Sequence, residues 1–280
     1  MMIRSALTGA TRAGLVGALL GATGILAVPA PAHAWGPVAH QEVTSRAIDI
    51  LPKGVKSFYK DHRLEMPSLA PEASPPDEGT ERRFAVDRLV PFPFTDLPHT
   101  EDALKARFGD EAAEVGRLPW LIHESYDRLV EAFRSRDKTR ILSESDVIAG
   151  LVADIHNPLA LTDNADGQKT GQHGLWARFS IRFPESLKKG LKLDLDTAHL
   201  LDDPREHVFS TINGVYVWAD NLMYLEELAR RGKGGYTEIY YESLALRAGP
   251  LLRERLARAT DDVASYWYTA WTTAGRPVLE

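Results

Sequence analysis

Between Arg63 and His99 the chain carries Pro67, Pro71, Pro75, Pro76, Pro91, Pro93 and Pro98. Each proline fixes its own φ and lacks an N–H, so neither a long helix nor a central strand runs through such a stretch. A connection of this length without periodic structure is usually functional or disordered. On either side of it, apolar residues recur every three to four positions, and strand-type alternation is weak everywhere. The expected fold class is all-α: a single-domain multi-helix bundle with long helices packed together.

Val43, Ala47, Ile48 and Leu51 share one face of a helix from His40 to Leu51, stopped by Pro52. Short helices are expected over 54–62 and 101–108. Pro119 suits the first turn of a helix running to Arg136, with Ile122, Tyr126, Leu129, Val130 and Phe133 on its apolar face. Ser143 and Asp146 have capping-box spacing for a helix from Glu144 to His156, which Pro158 ends. A polar loop follows over 157–174. Helices then cover 175–189, 205–231 and 236–272, with Gly249-Pro250 as the expected break in the last.

Arg4 and Arg12 precede an apolar, uncharged run from Leu15 to Val28, and Pro29 to Ala34 ends in small residues. This is the pattern of a secretory leader, residues 1–34, cut between Ala34 and Trp35. The run is short for a membrane span, and no later stretch is suited to one. The expected location is secreted or periplasmic, with one domain over 35–280. Cysteine is absent, so size, packing or metal must hold an exported fold without disulfides. The formal charge of −6 becomes more negative once Arg4 and Arg12 leave, which argues against a nucleic-acid partner.

Cleavage would free the α-amine of Trp35. Such an amine has a pKa of roughly 8, so it can lose its proton near neutral pH and become a metal ligand. Its own carbonyl can close a chelate, and His40 lies close by in sequence. Asp154 sits near the end of a helix whose other face is Val147, Ile148, Leu151, Val152 and Ile155. His156 is about 200° further round that helix, which points it away from Asp154 as a solvent-facing or loop-bracing residue. Asp77 follows Pro75-Pro76, where aspartate is a common turn residue. His173 reads as exposed in a glycine-rich loop. His62, His99, His123, His199 and His207 form no HxxxH or HExxH motif.

Trp35-Gly36-Pro37-Val38-Ala39-His40 after a leader resembles the mature terminus of the zinc-dependent phospholipase C family and the related single-strand-specific zinc nucleases. The resemblance continues in Val115-Gly116-Arg117-Leu118-Pro119-Trp120. It is strongest over Val152-Ala153-Asp154-Ile155-His156-Asn157-Pro158-Leu159, followed by Asn164-Ala165-Asp166-Gly167-Gln168-Lys169-Thr170-Gly171-Gln172. Trp267-Tyr268-Thr269-Ala270-Trp271 fits bacterial members. The resemblance implies three zinc ions in an interhelical cleft and hydrolysis of phosphodiester bonds. It places one ion on the Trp35 amine and carbonyl, His40 and Asp154. The second ion would share Asp154 and use Asp77 and two histidines. Arg83 stands where one of those histidines is expected. Gly150 stands where the other should precede Asp154 by one turn. The third ion's positions fall at Ala160, Trp176 and Ser180, none of which can coordinate. His173 stays open as a shifted ligand.

By that resemblance one Zn²⁺ remains, held by Trp35, His40 and Asp154 with Asp77 and water completing the shell. Arg83 reads either as a guanidinium replacing part of the lost charge and clamping phosphate, or as a solvent-exposed loop residue. Asp77 is the candidate base. Two functions stay open. One is a non-catalytic exported protein whose metal is structural and whose cleft binds a lipid headgroup, another phosphate-containing molecule or a protein. The other is a single-metal hydrolase acting on phospholipid or nucleic acid. Unrelated chemistry using His156, His173 or Asp166 is a third course.

Overall fold

Proline and glycine set the ends of most elements. The computed structural model describes residues 34–69, 79–187 and 190–279, and every regular element among them is helical, as the all-α reading expects. Helix α1, Pro37–Ile50, opens on a proline whose missing N–H costs nothing in a first turn. Leu51 turns extended ahead of Pro52, and α2 follows over Lys53–Asp61. The proline-rich stretch holds single 3₁₀ turns at Arg63–Glu65, Pro67–Leu69, Gly79–Arg82 and Val86–Arg88. The expected leader, apart from Ala34, and Asp77 lie outside the described residues.

Helix α3, Glu101–Phe108, is capped by Thr100, whose hydroxyl oxygen accepts the Ala103 N–H at 3.3 Å. A short α4, Glu111–Glu114, leads to α5, Leu118–Ser135. Arg136 then takes a left-handed φ of 55°, which turns the chain sharply. Asp137 caps α6, Lys138–Ile155, by accepting the Arg140 N–H at 3.1 Å. The helix therefore begins at Lys138 rather than Glu144, and the expected capping box is not used. Ser143 lies inside the helix. Asp146 reaches out instead, to the N–H and hydroxyl of Ser68 in the proline-rich stretch.

The segment expected as an ordinary helix over 175–189 is wider at its start. Ala177–Arg182 winds as a π-helical turn and continues into α7, Phe183–Leu187. Pro184 supplies the reason. It has no N–H to return to the carbonyl of Ser180, so that carbonyl is left for another donor, and it accepts the Gly36 N–H at 2.9 Å. The expected helix over 205–231 divides at Val217 into α8, Pro204–Tyr216, and α9, Trp218–Arg230. Helix α10, Glu238–Thr273, runs unbroken through Pro250. Leu246, whose carbonyl Pro250 leaves unpaired, is exposed, so water can serve that carbonyl.

Helices α1, α5, α6 and α9 pack around α10. At the centre Tyr59 stacks on Trp267 with ring centres 4.6 Å apart, and both side chains are buried. Their polar atoms converge on Ser145: the Tyr59 hydroxyl lies 2.7 Å from its hydroxyl, and the Trp267 indole donates to its carbonyl at 3.0 Å. Each large aromatic buried this way contributes roughly 2–3 kcal/mol. An extended strap over 191–201 runs along α10. The N–H groups of Asp196, His199 and Leu201 donate to the side chains of Asp261, Ser265 and Thr269, one turn apart on the helix. Residues from Pro31 to Glu280 group in one compact unit. Among the described residues, no helix is long and apolar enough to cross a membrane.

Candidate functional site

The site is built on Asp154, fully buried in the last turn of α6. The Gly36-Pro37 start of α1 brings Trp35 and His40 to it. The Trp35 backbone N–H donates to Asp154 Oδ1 at 3.1 Å, and His40 Nε2 lies 2.8 Å from the same oxygen. The Trp35 indole donates to the Ala153 carbonyl at 2.8 Å and packs against Phe179. Trp35 and His40, close together in sequence, thus meet Asp154 more than a hundred residues on, and the sequence reading named all three.

The second oxygen is taken by an arginine. Arg82 Nε donates to Asp154 Oδ2 at 2.8 Å, and Nη2 lies 2.7 Å from it. Arg82 is buried along its length. Gly150, one turn before Asp154, makes the space: a Cβ added there would lie 2.7 Å from Arg82 Nη2. The arginine at this carboxylate is therefore Arg82, not Arg83. The two neighbours diverge because the backbone around them is pinned. The carbonyl of Glu81 accepts the Arg117 N–H, and the Phe84 N–H donates to the Ala160 carbonyl. Arg83 Nη2 donates to the Thr162 carbonyl at 3.2 Å, and its guanidinium carbon sits 5.6 Å from the centre of the Trp176 ring. Burial pushes its pKa down against the pull of Asp163 and Asp87, so it is not a free solvent-exposed loop residue either. Arg83 Nε and Trp176 Nε1 are both buried and have no hydrogen-bond partner among the described residues.

The remaining positions are knitted into backbone. Asn157 Nδ2 donates to the Ala34 carbonyl and, at 2.9 Å, to Ser180 Oγ. Asp166 Oδ1 accepts the Trp176 N–H at 3.1 Å. His173 is exposed, as expected. His156 is not solvent-facing: it is buried, and its Nε2 lies 2.9 Å from Asp262 Oδ2, which His207 Nε2 also approaches at 3.0 Å. Burial pushes the Asp262 carboxyl up, but these two hydrogen bonds outweigh it and hold the group below the usual range. His156 is thus the loop-bracing residue of the two readings, tying the end of α6 to α8 and α10.

Arg82 was invisible to motif reasoning. Gly150 was the available signal, because a glycine inside an apolar helix costs about 1 kcal/mol and marks the close approach of another group. Among the described residues, no three His, Cys, Asp or Glu side chains cluster to hold a metal ion. Among the described residues, the buried Arg82 guanidinium stands on Asp154 Oδ2, the oxygen that a second, bridged ion would share. Trp35, His40 and Asp154 are the described residues that would hold a single ion, Trp35 through its nitrogen only as a free amine. The chain matches no model of a known protein family, and no curated protein matches it.

Proposed function

We propose that the protein is an exported, non-catalytic relative of the zinc-dependent phospholipases C and nucleases, whose cleft binds a phosphate-containing ligand. The observation that carries this reading is the Arg82 guanidinium on Asp154 Oδ2 over Gly150. Phosphodiester cleavage by a metal cluster needs cations that neutralise the phosphate, acidify an attacking water and hold the leaving oxygen. A guanidinium supplies charge, but it cannot bind water as a ligand and lower its pKa. Arg83 supports the binding half of the reading. Its Nε and the neighbouring Trp176 Nε1 are donors without acceptors among the described residues, and oxyanions are the acceptors that arginine pairs with best.

A second reading, a hydrolase working with one Zn²⁺, has its own support in the convergence of Trp35 N and His40 Nε2 on Asp154 Oδ1. In it, Trp35, His40 and Asp154 would be the ligands, with Asp77 as fourth ligand or base. One experiment separates the two. Protein beginning at Trp35 is given zinc and assayed on bis(p-nitrophenyl) phosphate and phosphatidylcholine vesicles, and its retention of glycerophosphate is measured by equilibrium dialysis. The expected result is no turnover, with retention weakened by Arg83→Ala. Turnover that is lost in Asp154→Asn would establish the hydrolase instead.

A further inference from the structure

We infer that the protein pairs with a second copy of itself through the N-terminal half of α10, the two helices lying antiparallel. This association does not depend on what the cleft binds. Ile239, Glu242, Leu246, Gly249 and Arg253 are spaced alternately by three and four, so they form one seam along the helix. The opposite face of the same turns, with Tyr240, Leu244 and Leu251, is buried in the core. The seam faces solvent: Leu246 is 80% exposed and Ile239 59%. Single exposed apolar side chains are ordinary, but two of them two turns apart on one seam form a patch.

The seam is complementary to itself. About a point between Arg247 and Ala248, Glu242 mirrors Arg253 and Leu246 mirrors Gly249. Two copies laid antiparallel about that point bring each glutamate opposite an arginine and each leucine opposite a glycine. Parallel copies would set Glu242 against Glu242 and Arg253 against Arg253. Among the described residues, neither Glu242 nor Arg253 has an ion-pair partner. Arg253 instead folds back over Gly249, its Nη1 3.3 Å from where a Cβ would stand. Turning out to Glu242 of the second copy uncovers the glycine for the incoming leucine. Exposed ion pairs add little affinity; they set the orientation, and burial of Leu246 and Ile239 holds the pair together.

Ile239 has its own seat. The antiparallel register carries it to the level of Leu256 and Ala257 of the second copy. A hollow of about 410 Å³ lies there between α10 and the 191–201 strap. Pro250 and Ala257 are the apolar part of its lining, beside Lys192, Asp194, Glu254 and Arg258. One helix pair of this length gives an interface at the small end of the range, so the dimer is reversible and forms with rising concentration.

Sedimentation equilibrium of protein beginning at Trp35, from about 2 to about 200 µM, tests the pairing. The expected result is an average mass that climbs from one chain toward two. Leu246→Glu puts a charge on the seam at an exposed position, where it leaves the fold unchanged, and should hold the protein monomeric. Glu242→Arg and Arg253→Glu should each weaken association about tenfold or more, and the double variant that exchanges the two charges should recover it. A protein that stays monomeric throughout, its seam free or given to a different partner, would overturn the inference. So would dimers that persist in Leu246→Glu, which would lie on another face, or a charge exchange that fails to restore them.

Discussion

Among the described residues, Asp154 and Glu226 are the two fully buried carboxylates that face an arginine, and they are built from different kinds of neighbour. Glu226 takes Arg178 Nη2 and the Tyr240 hydroxyl on Oε1, at 3.1 and 3.0 Å, and Gln172 Nε2 on Oε2 at 2.5 Å. All of these are side chains of the folded interior. Arg178 also lies 3.8 Å from the centre of the Tyr236 ring. Asp154 is served by the N–H of Trp35, by His40 at the start of α1, and by an arginine from the proline-rich stretch. Both centres use a glycine to admit the arginine. A Cβ at Gly174 would lie 2.9 Å from Arg178 Nη1, as one at Gly150 would crowd Arg82. The contrast is one of origin. Glu226 is held by an arginine and neutral donors of the interior. Asp154 draws together the start of α1 and an arginine from the proline-rich stretch.

The strongest way to break this comparison is to remove each charge while keeping the shape. Asp154→Asn is expected to cost about 3–5 kcal/mol by urea unfolding, because it leaves the buried Arg82 guanidinium without its counterion. Glu226→Gln should cost less, about 1.5–3 kcal/mol, since one cation and two neutral donors are affected. Equal losses would erase the distinction. Gly150→Ala comes next. Its methyl would push the Arg82 guanidinium off Oδ2, at an expected cost of about 1–3 kcal/mol, and unchanged stability would mean that Arg82 yields freely.

The smallest effect concerns a third acidic group, whose nearest cation among the described residues is the exposed Arg258, 3.9 Å from Oδ2. Burial pushes the Asp261 carboxyl up to about 6, against the opposing hydrogen bond from the Asp196 N–H. A carboxyl raised in the folded state favours the protonated form. Its contribution is most favourable at low pH and is lost as pH rises from the ordinary carboxylate range through about 6. Asp261→Asn should therefore stabilise the protein at pH 8 by about 1 kcal/mol and flatten the pH dependence between 4 and 7. A destabilised variant at pH 8 would show that the ionised carboxylate is needed by the strap.

The helices were legible in the sequence wherever periodicity and proline agreed. Val43, Ala47 and Ile48 face the core, and Pro52 and Pro119 mark boundaries within a residue or two. The failures have local causes. Ser143 and Asp146 had cap spacing, but Asp137 after a left-handed Arg136 supplied a better cap earlier. Pro250 looked like a break, but its orphaned carbonyl faces water. At the site, the meeting of Trp35, His40 and Asp154 was legible only through the resemblance of the segments that carry them, since spacing alone did not join them. The choice of Arg82 over Arg83 was not, because it depends on which way two adjacent side chains leave a pinned 3₁₀ turn. Sequence shows two adjacent arginines there but not which one turns inward.

Pro184 has a consequence for the order of assembly. By withholding an N–H it leaves the Ser180 carbonyl open, and that carbonyl is what seats Gly36. The Trp35 indole meanwhile waits for Ala153, 118 residues further on. In a chain synthesised N-terminus first, Trp35 and Gly36 have nowhere to dock until everything through Pro184 has followed. A segment made early is then seated late, and α1 cannot be fixed at this point before most of the chain exists.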